Sequence, residues 1–200
     1  MNSEYNYLEI NRKLWNERTN VHFESNFYDV DGFLSGNSSL NRIELNLLGD
    51  VSGKSILHLQ CHFGLDTISL GRLGANVTGV DFSDKAILLA RDISQKSNIK
   101  STFICCNLYD LPNHLNHKFD VVYTSYGTIG WLPDIDNWAS IISRFLKPNG
   151  KFVFVEFHPV LWMFDNKFDR IEYKYSNSKA ILEFENGTYA NQDADLHHES

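Results

Sequence analysis

The run Ile56–Leu70, ILHLQCHFGLDTISL, reads as a strand entering a glycine loop and then a helix, and a second run, NVTGVDFS, ends in Asp81. Both features act through position. Gly64 allows the backbone to approach a ligand closely, and a helix beginning near Leu65 directs free N–H groups at a carboxylate or phosphate. Asp81, at the end of the next strand, stands where an acidic side chain commonly accepts hydrogen bonds from ribose hydroxyls. A dinucleotide cradle would want G-x-G-x-x-G. QCHFGL supplies one of those three glycines, so a pyrophosphate site, and with it a nicotinamide dehydrogenase, is poorly supported.

These residues need a sheet to hold them. From Lys54 onward short β-rich runs alternate with helical ones, which predicts strands at Ser55–Gln60, Asn76–Asp81, Thr102–Cys106, Phe119–Ser125 and Lys151–Phe157. FDVVYTS and KFVFVEF are nearly continuous apolar runs, as in a parallel sheet covered on both faces. Ser83 is placed to cap a helix through about Lys96, and Asp136 to cap one reaching Leu146 before Pro148-Asn149-Gly150 turns the chain. The expected class is α/β, a doubly wound, mainly parallel Rossmann-like sheet with helices on both faces.

Three units of one compact domain are expected. Residues 1–50 form a helical cover, with an amphipathic helix over Asn2–Asn20 (Tyr7, Ile10, Leu14 and Trp15 on one face), a loop rich in aromatics, Gly, Asn and Ser, and a helix from Arg42 to Leu48 stopped at Gly49. Residues 51–160 are the core. Residues 161–200 are an antiparallel hairpin, Ile171–Ser176 against Ala180–Glu185, followed by a polar, frayed tail.

Composition narrows the partners. The 200 residues carry a net charge of −7, spread over both halves, which disfavours a nonspecific grip on nucleic acid or anionic lipid. There is no run of roughly 20 apolar residues and no signal-peptide pattern at the start, which favours a cytoplasmic protein. The three cysteines, Cys61, Cys105 and Cys106, suit neither a disulfide framework nor a Cys-x-x-Cys clip. His58, Cys61 and His62 lack a complementary pair at zinc-like spacing, so no metal is expected. Cys61 has no evident base beside it and is better read as a buried small side chain.

In its residues the chain resembles the class I S-adenosylmethionine-dependent methyltransferases. The similarity runs from about Lys54 to Pro159, through ILHLQCHFGLDT, VTGVDFSDKAILLAR, FICCNLYDLP, FDVVYTSYGTIGWLPDIDNW and FLKPNGKFVFVEFHP. The family's first motif usually reads like V-L-D-L-G-C-G-x-G. Here His58, Gln60 and His62 replace the acid and two glycines, wording that resembles an LQCHFGLDT-type branch. The resemblance implies S-adenosyl-L-methionine as cofactor, with Gln60, Cys61, His62 and Gly64 wrapping its methionine part by backbone contacts. It implies Asp81 on the ribose, Phe82 against the adenine, Asn107 and Leu108 at the adenine amino group and face, and Ser125 and Tyr126 near the sulfonium.

Methyl transfer to a small-molecule acceptor needs alignment with the sulfur–methyl bond more than covalent catalysis, and near-attack positioning can contribute about 7–11 kcal/mol. Trp131, in YGTIGWLPD, is the leading substrate wall, and Trp15, Tyr28 and the 160–190 segment are candidates for a cover. His22 and His158 are the candidate bases if the acceptor must lose a proton. The family's sheet normally closes with two more strands, the last antiparallel, and this chain stops before them. The rival expectation is therefore a truncated or degenerate relative that binds the cofactor without turnover.

Overall fold

The computed structural model describes residues 7–165, 168–176 and 184–199. Five strands, β1 (Ser55–Leu59), β2 (Asn76–Asp81), β3 (Thr102–Cys105), β4 (Phe119–Ser125) and β5 (Leu146–Val155), form a parallel sheet in the order β3-β2-β1-β4-β5. The chain builds outward from β1 to β3 and then crosses back to lay β4 on the other side of β1. The strand order thus reverses between β1 and β4, where an open α/β sheet leaves a crevice at its carboxyl ends.

Strict alternation along each strand feeds two cores. Leu57, Leu59 and Val122 pack with Trp138, Ile141 and Phe145 of α6 (Ile135–Phe145) on one face. Ile56, Val121, Tyr123 and Val153 meet Leu48 of α3 (Arg42–Leu48) and Leu70 of α4 (Leu65–Arg72) on the other. A further cluster joins α4 to α2 (Val30–Leu34) and α5 (Asp84–Lys96) through Phe33, Ile68, Ile87, Ala90 and Phe103. Each such side chain, fully buried, contributes about 1.5–3 kcal/mol. The doubly wound parallel sheet is the architecture expected. It ends at β5 among the described residues, so the two further strands of the family are not among them.

Ser83 caps α5 as predicted, its hydroxyl accepting from Ala86 N, and α3 stops at Gly49, whose φ is 66°. Elsewhere the local reading is corrected. Asp134, not Asp136, caps α6, accepting from Asn137 N. β5 begins at Leu146 because Leu146 pairs with Phe119; the register then shifts, and the predicted turn at Asn149 (φ 63°) lies inside the strand. The aromatic loop contains α2, whose Val30 and Phe33 are buried.

The first helix, α1, spans Tyr7–Phe23 rather than Asn2–Asn20, and residues 1–6 lie outside the described ones. Its buried residues are Leu14, Arg18, Thr19 and His22, mostly polar, which apolar periodicity cannot register. The expected hairpin is not formed as drawn: Ile171–Ser176 is irregular, with only an isolated bridge from Ile171 to Phe164, and residues 177–183 lie outside the described ones. Ile171 and Tyr175 are exposed, so the alternating pattern there has no layer to pack on. β6 (Phe184–Asn186) instead pairs antiparallel with β7 (His197–Glu199), inside the tail expected to fray.

Candidate functional site

The loop after β1 keeps a glycine-like course without most of the glycines. Gln60 and His62 adopt left-handed φ values of 55° and 50°, and Gly64 one of 76°. The two positions where the family motif carries glycine therefore retain its backbone shape, at a cost of about 1–2 kcal/mol per side chain. Gly64 is needed for packing too: a Cβ there would lie 2.6 Å from Phe103 Cε1. The space it spares belongs to the core.

That course brings the loop onto the end of β2. His62 N donates to Asp81 Oδ2 at 2.8 Å and Ser83 N donates to Asp81 Oδ1 at 2.9 Å. Burial pushes the Asp81 carboxyl up to about 6, against the pull of the backbone donors Ser83, His62 and Phe82. Each carboxylate oxygen keeps further lone-pair capacity for hydroxyl donors. Cys106 N bonds Asp81 O at 3.0 Å, which sets the β3 end alongside. Beyond it Asn107 accepts from Tyr109 N through its side chain, while Leu108 turns into the core.

The β4 side is fixed by two acids that sequence reasoning missed. Glu156 accepts from Gly127 N, from Thr128 N at 2.7 Å and from Ile129 N at 3.1 Å, so one carboxylate gathers the loop that carries Trp131. Asp66, in the first turn of α4, accepts from Ser39 Oγ at 2.6 Å and from Tyr123 OH and Ser125 Oγ at 3.2 Å. Tyr126 follows with φ 43°, its N–H on Val155 O. Gln60 Nε2 donates to Thr128 O at 3.0 Å and so ties the β1 and β4 loops across the reversal point.

Over this floor α1 lays a polar and aromatic face. Asn16 accepts from Ser83 Oγ at 2.7 Å and donates to Asp84 Oδ1 at 2.8 Å, docking the helix beside Asp81. His22 Nδ1 and His62 Nε2 share a hydrogen bond of 3.0 Å. Trp15 meets the His62 ring at 5.3 Å and the Trp131 ring at 5.5 Å, and the Arg18 guanidinium lies 5.6 Å and 5.9 Å from the Trp15 and Trp131 rings. Tyr28 stacks on His22 at 5.4 Å, and its hydroxyl bonds that of Tyr189 from the far end of the chain.

Burial and the nearby Arg18 lower His22 to about 3, and burial, His22 and Arg18 together hold His62 well below the usual imidazole range. Both rings are neutral at physiological pH. Buried Gln60 Oε1, His22 Nε2 and His62 Nδ1 have no hydrogen-bond partner among the described residues. Buried atoms left in this state are uncommon, and they cluster where α1 meets the β1 and β4 loops.

The fold thus brings Gln60, Cys61, His62, Gly64, Asp81, Phe82, Asn107, Ser125 and Tyr126 to the carboxyl end of the sheet and sets Trp15, His22, Tyr28 and Trp131 above them. Cys61 contributes backbone there; its thiol is buried and pushed well above its ordinary value, chiefly by burial. His158 stands apart, exposed, with Nδ1 accepting from Val160 N at the head of a short 3-10 turn. Arg18 and Tyr189 were missed. A signal for Arg18 existed, since Trp15, Arg18 and His22 recur at helical spacing, but only for a helix drawn past Asn20. Tyr189 had none.

Sheet order and reversal point define a doubly wound, Rossmann-like fold. Residues 56–150 match the family model of the methyltransferase domain. A solved S-adenosylmethionine dependent methyltransferase from Mesorhizobium loti superposes with a TM-score of 0.54 at 26% identity, covering 66% of this chain and 59% of that one. An uncharacterized methyltransferase of Synechocystis is 32% identical over 66% of this chain and 60% of its own length. A ubiquinone biosynthesis O-methyltransferase of Xanthomonas oryzae is 29% identical over 62% of this chain. The chain spans 53% of that relative's length, about half. Over residues 56–150, just under half of the chain, it is similar to methyltransferase domains, and its fold is that of the class I S-adenosylmethionine-dependent methyltransferases.

Proposed function

We propose that the chain binds S-adenosyl-L-methionine at the carboxyl ends of β1 to β4 and transfers its methyl group to a small-molecule acceptor in the cytoplasm. The observation that carries this reading is the Asp81 carboxylate, fixed by His62 N and Ser83 N beside the left-handed loop at the strand reversal. Asp81 takes the ribose diol. Backbone groups of Gln60 to Gly64 hold the methionine part, Phe82, Asn107 and the backbone of Leu108 bound the adenine, and Ser125 and Tyr126 face the sulfonium. We also assign the chain to the LQCHFGLDT-type branch, a reading supported by the left-handed course at Gln60 and His62.

When bound, the cofactor would supply an electrophilic methyl group on a sulfonium, which leaves as a neutral thioether. The chain's own work is then alignment and exclusion of water. Trp15, Tyr28 and Trp131 wall the acceptor, and an aromatic face beside a cation is favourable by about 0.5–2 kcal/mol. Among the described residues no helix is long and apolar enough to cross a membrane.

Isothermal titration with S-adenosyl-L-methionine tests the cofactor site. Heat of binding is expected, and a folded sample that gives none refutes the assignment. A second reading, binding without turnover, is favoured by the free outer edge of β5 among the described residues. Transfer of tritium from labelled cofactor into a metabolite extract separates the two.

A further inference from the structure

The β4 end of the floor is acidic, and its acids are held by neutral donors. Asp66 accepts from the hydroxyls of Ser39, Tyr123 and Ser125. Glu44 is fully buried; its Oε1 accepts from Asn41 Nδ2 at 3.0 Å, and Oε2 has no hydrogen-bond partner among the described residues. Burial and then the Glu44 charge raise the Tyr126 hydroxyl above the ordinary tyrosine value, so this acid lies close to that side chain. Glu156 accepts from the backbone of Gly127, Thr128 and Ile129. None of the ion pairs among the described residues involves any of these acids. His58, which shares a hydrogen bond of 2.8 Å with Thr67 Oγ1, adds no counter-charge at neutral pH: burial lowers it to about 4, against the pull of Asp66.

Hydroxyl and amide donors stabilise a carboxylate without cancelling its charge, and away from water that charge acts more strongly on its surroundings. Ser125 and Tyr126, assigned above to the sulfonium, each adjoin one of these acids. We propose that Asp66, seconded by Glu44, makes the site select its cofactor by the charge on sulfur, holding the methylsulfonium form and releasing the neutral thioether. This deepens the cofactor reading above and rests on it.

Asp66 is a positioning residue, acting through Ser125 and through its field. The ammonium, carboxylate, ribose and adenine are the same in S-adenosylmethionine and S-adenosylhomocysteine, so the sulfur alone distinguishes them. The acids attract the cationic form and gain nothing from the thioether left after transfer. Product then leaves more readily than fresh cofactor.

The test is isothermal titration of the native protein with S-adenosylmethionine, with S-adenosylhomocysteine and with sinefungin, which carries a protonated amine where the methylsulfonium stands. Both cations are expected to bind at least about tenfold more tightly than the thioether. Asp66→Asn should weaken both cations by about tenfold and leave S-adenosylhomocysteine within about threefold of its native affinity. Asp66→Glu keeps the charge and should restore most of the preference. Equal weakening of all the ligands by Asp66→Asn marks a structural role and overturns the inference. Equal affinities in the native protein, or tighter binding of S-adenosylhomocysteine, overturn it whether or not the variants fold. A native protein that binds none of the ligands overturns the cofactor reading, and this inference falls with it.

Discussion

At the strand ends Asp81 is held by backbone donors two and nineteen residues away, Ser83 N and His62 N. The cover above is held by side chains, with His22 reaching His62 across 40 residues and Tyr28 reaching Tyr189 across 161. Backbone-held groups lose little freedom on ligand binding and suit a constant partner, the cofactor. Side-chain-held aromatic and imidazole groups can be exchanged without rebuilding the sheet, which suits a partner that varies. His62 belongs to both halves: its N–H serves the floor and its ring serves the cover.

The comparison breaks first at Gly64. Gly64→Ala places a Cβ against Phe103 at a left-handed φ of 76°, and a loss of about 3 kcal/mol is expected in urea unfolding. A loss below about 1 kcal/mol would mean that the loop yields easily and is no fixed floor. Glu156→Ala strips the acceptor from the N–H groups of Gly127, Thr128 and Ile129 and should cost about 2 kcal/mol. Since it loosens the Trp131 loop and not the strand ends, S-adenosylhomocysteine affinity should change little. A large loss of that affinity with stability unchanged would reverse its placement.

Asp81→Ala should weaken cofactor binding by more than about tenfold, or 1.4 kcal/mol, with the circular dichroism spectrum retained. Unchanged affinity removes Asp81 from the site. In the native protein the same affinity should decline as pH falls below about 6, where the carboxyl takes up its proton. The effect on stability has the opposite sign: the folded carboxyl holds a proton more tightly than the unfolded one, so this group favours the fold more as pH falls from about 6 towards 3.8.

The smallest effect is expected from His62→Gly. Relief of the left-handed backbone returns about 1 kcal/mol, while loss of the ring frees His22, so net stability should move little. Amide exchange in α1 should nonetheless quicken. Unaltered protection there would show that the imidazole pair does not tie cover to floor.

Legibility follows the same division. Asp81 and Ser83 could be read because a strand end and a helix cap are local patterns, and α3 and α5 were bounded by Gly49 and Ser83 for that reason. Asp134 was mistaken for Asp136 because two acids stand within one turn of the helix start, and only geometry selects the one that reaches Asn137 N. Arg18 is harder to read, because a buried cation contradicts the apolar pattern that marks a helix's inner face and only its spacing from Trp15 and His22 points inward.

The alternating elements, the parallel sheet they imply and the strand-end acid are legible along the chain, since hydrophobic period, glycine stops and caps all act within a few residues. That Arg18, a neutral pair of imidazoles and Tyr189, from the turn between β6 and β7, gather beside Trp15 and Trp131 follows from long-range packing alone. Their proximity depends on how α1 and the chain's end fold back over β1 and β4, and contacts between residues so far apart leave no periodic trace along the chain.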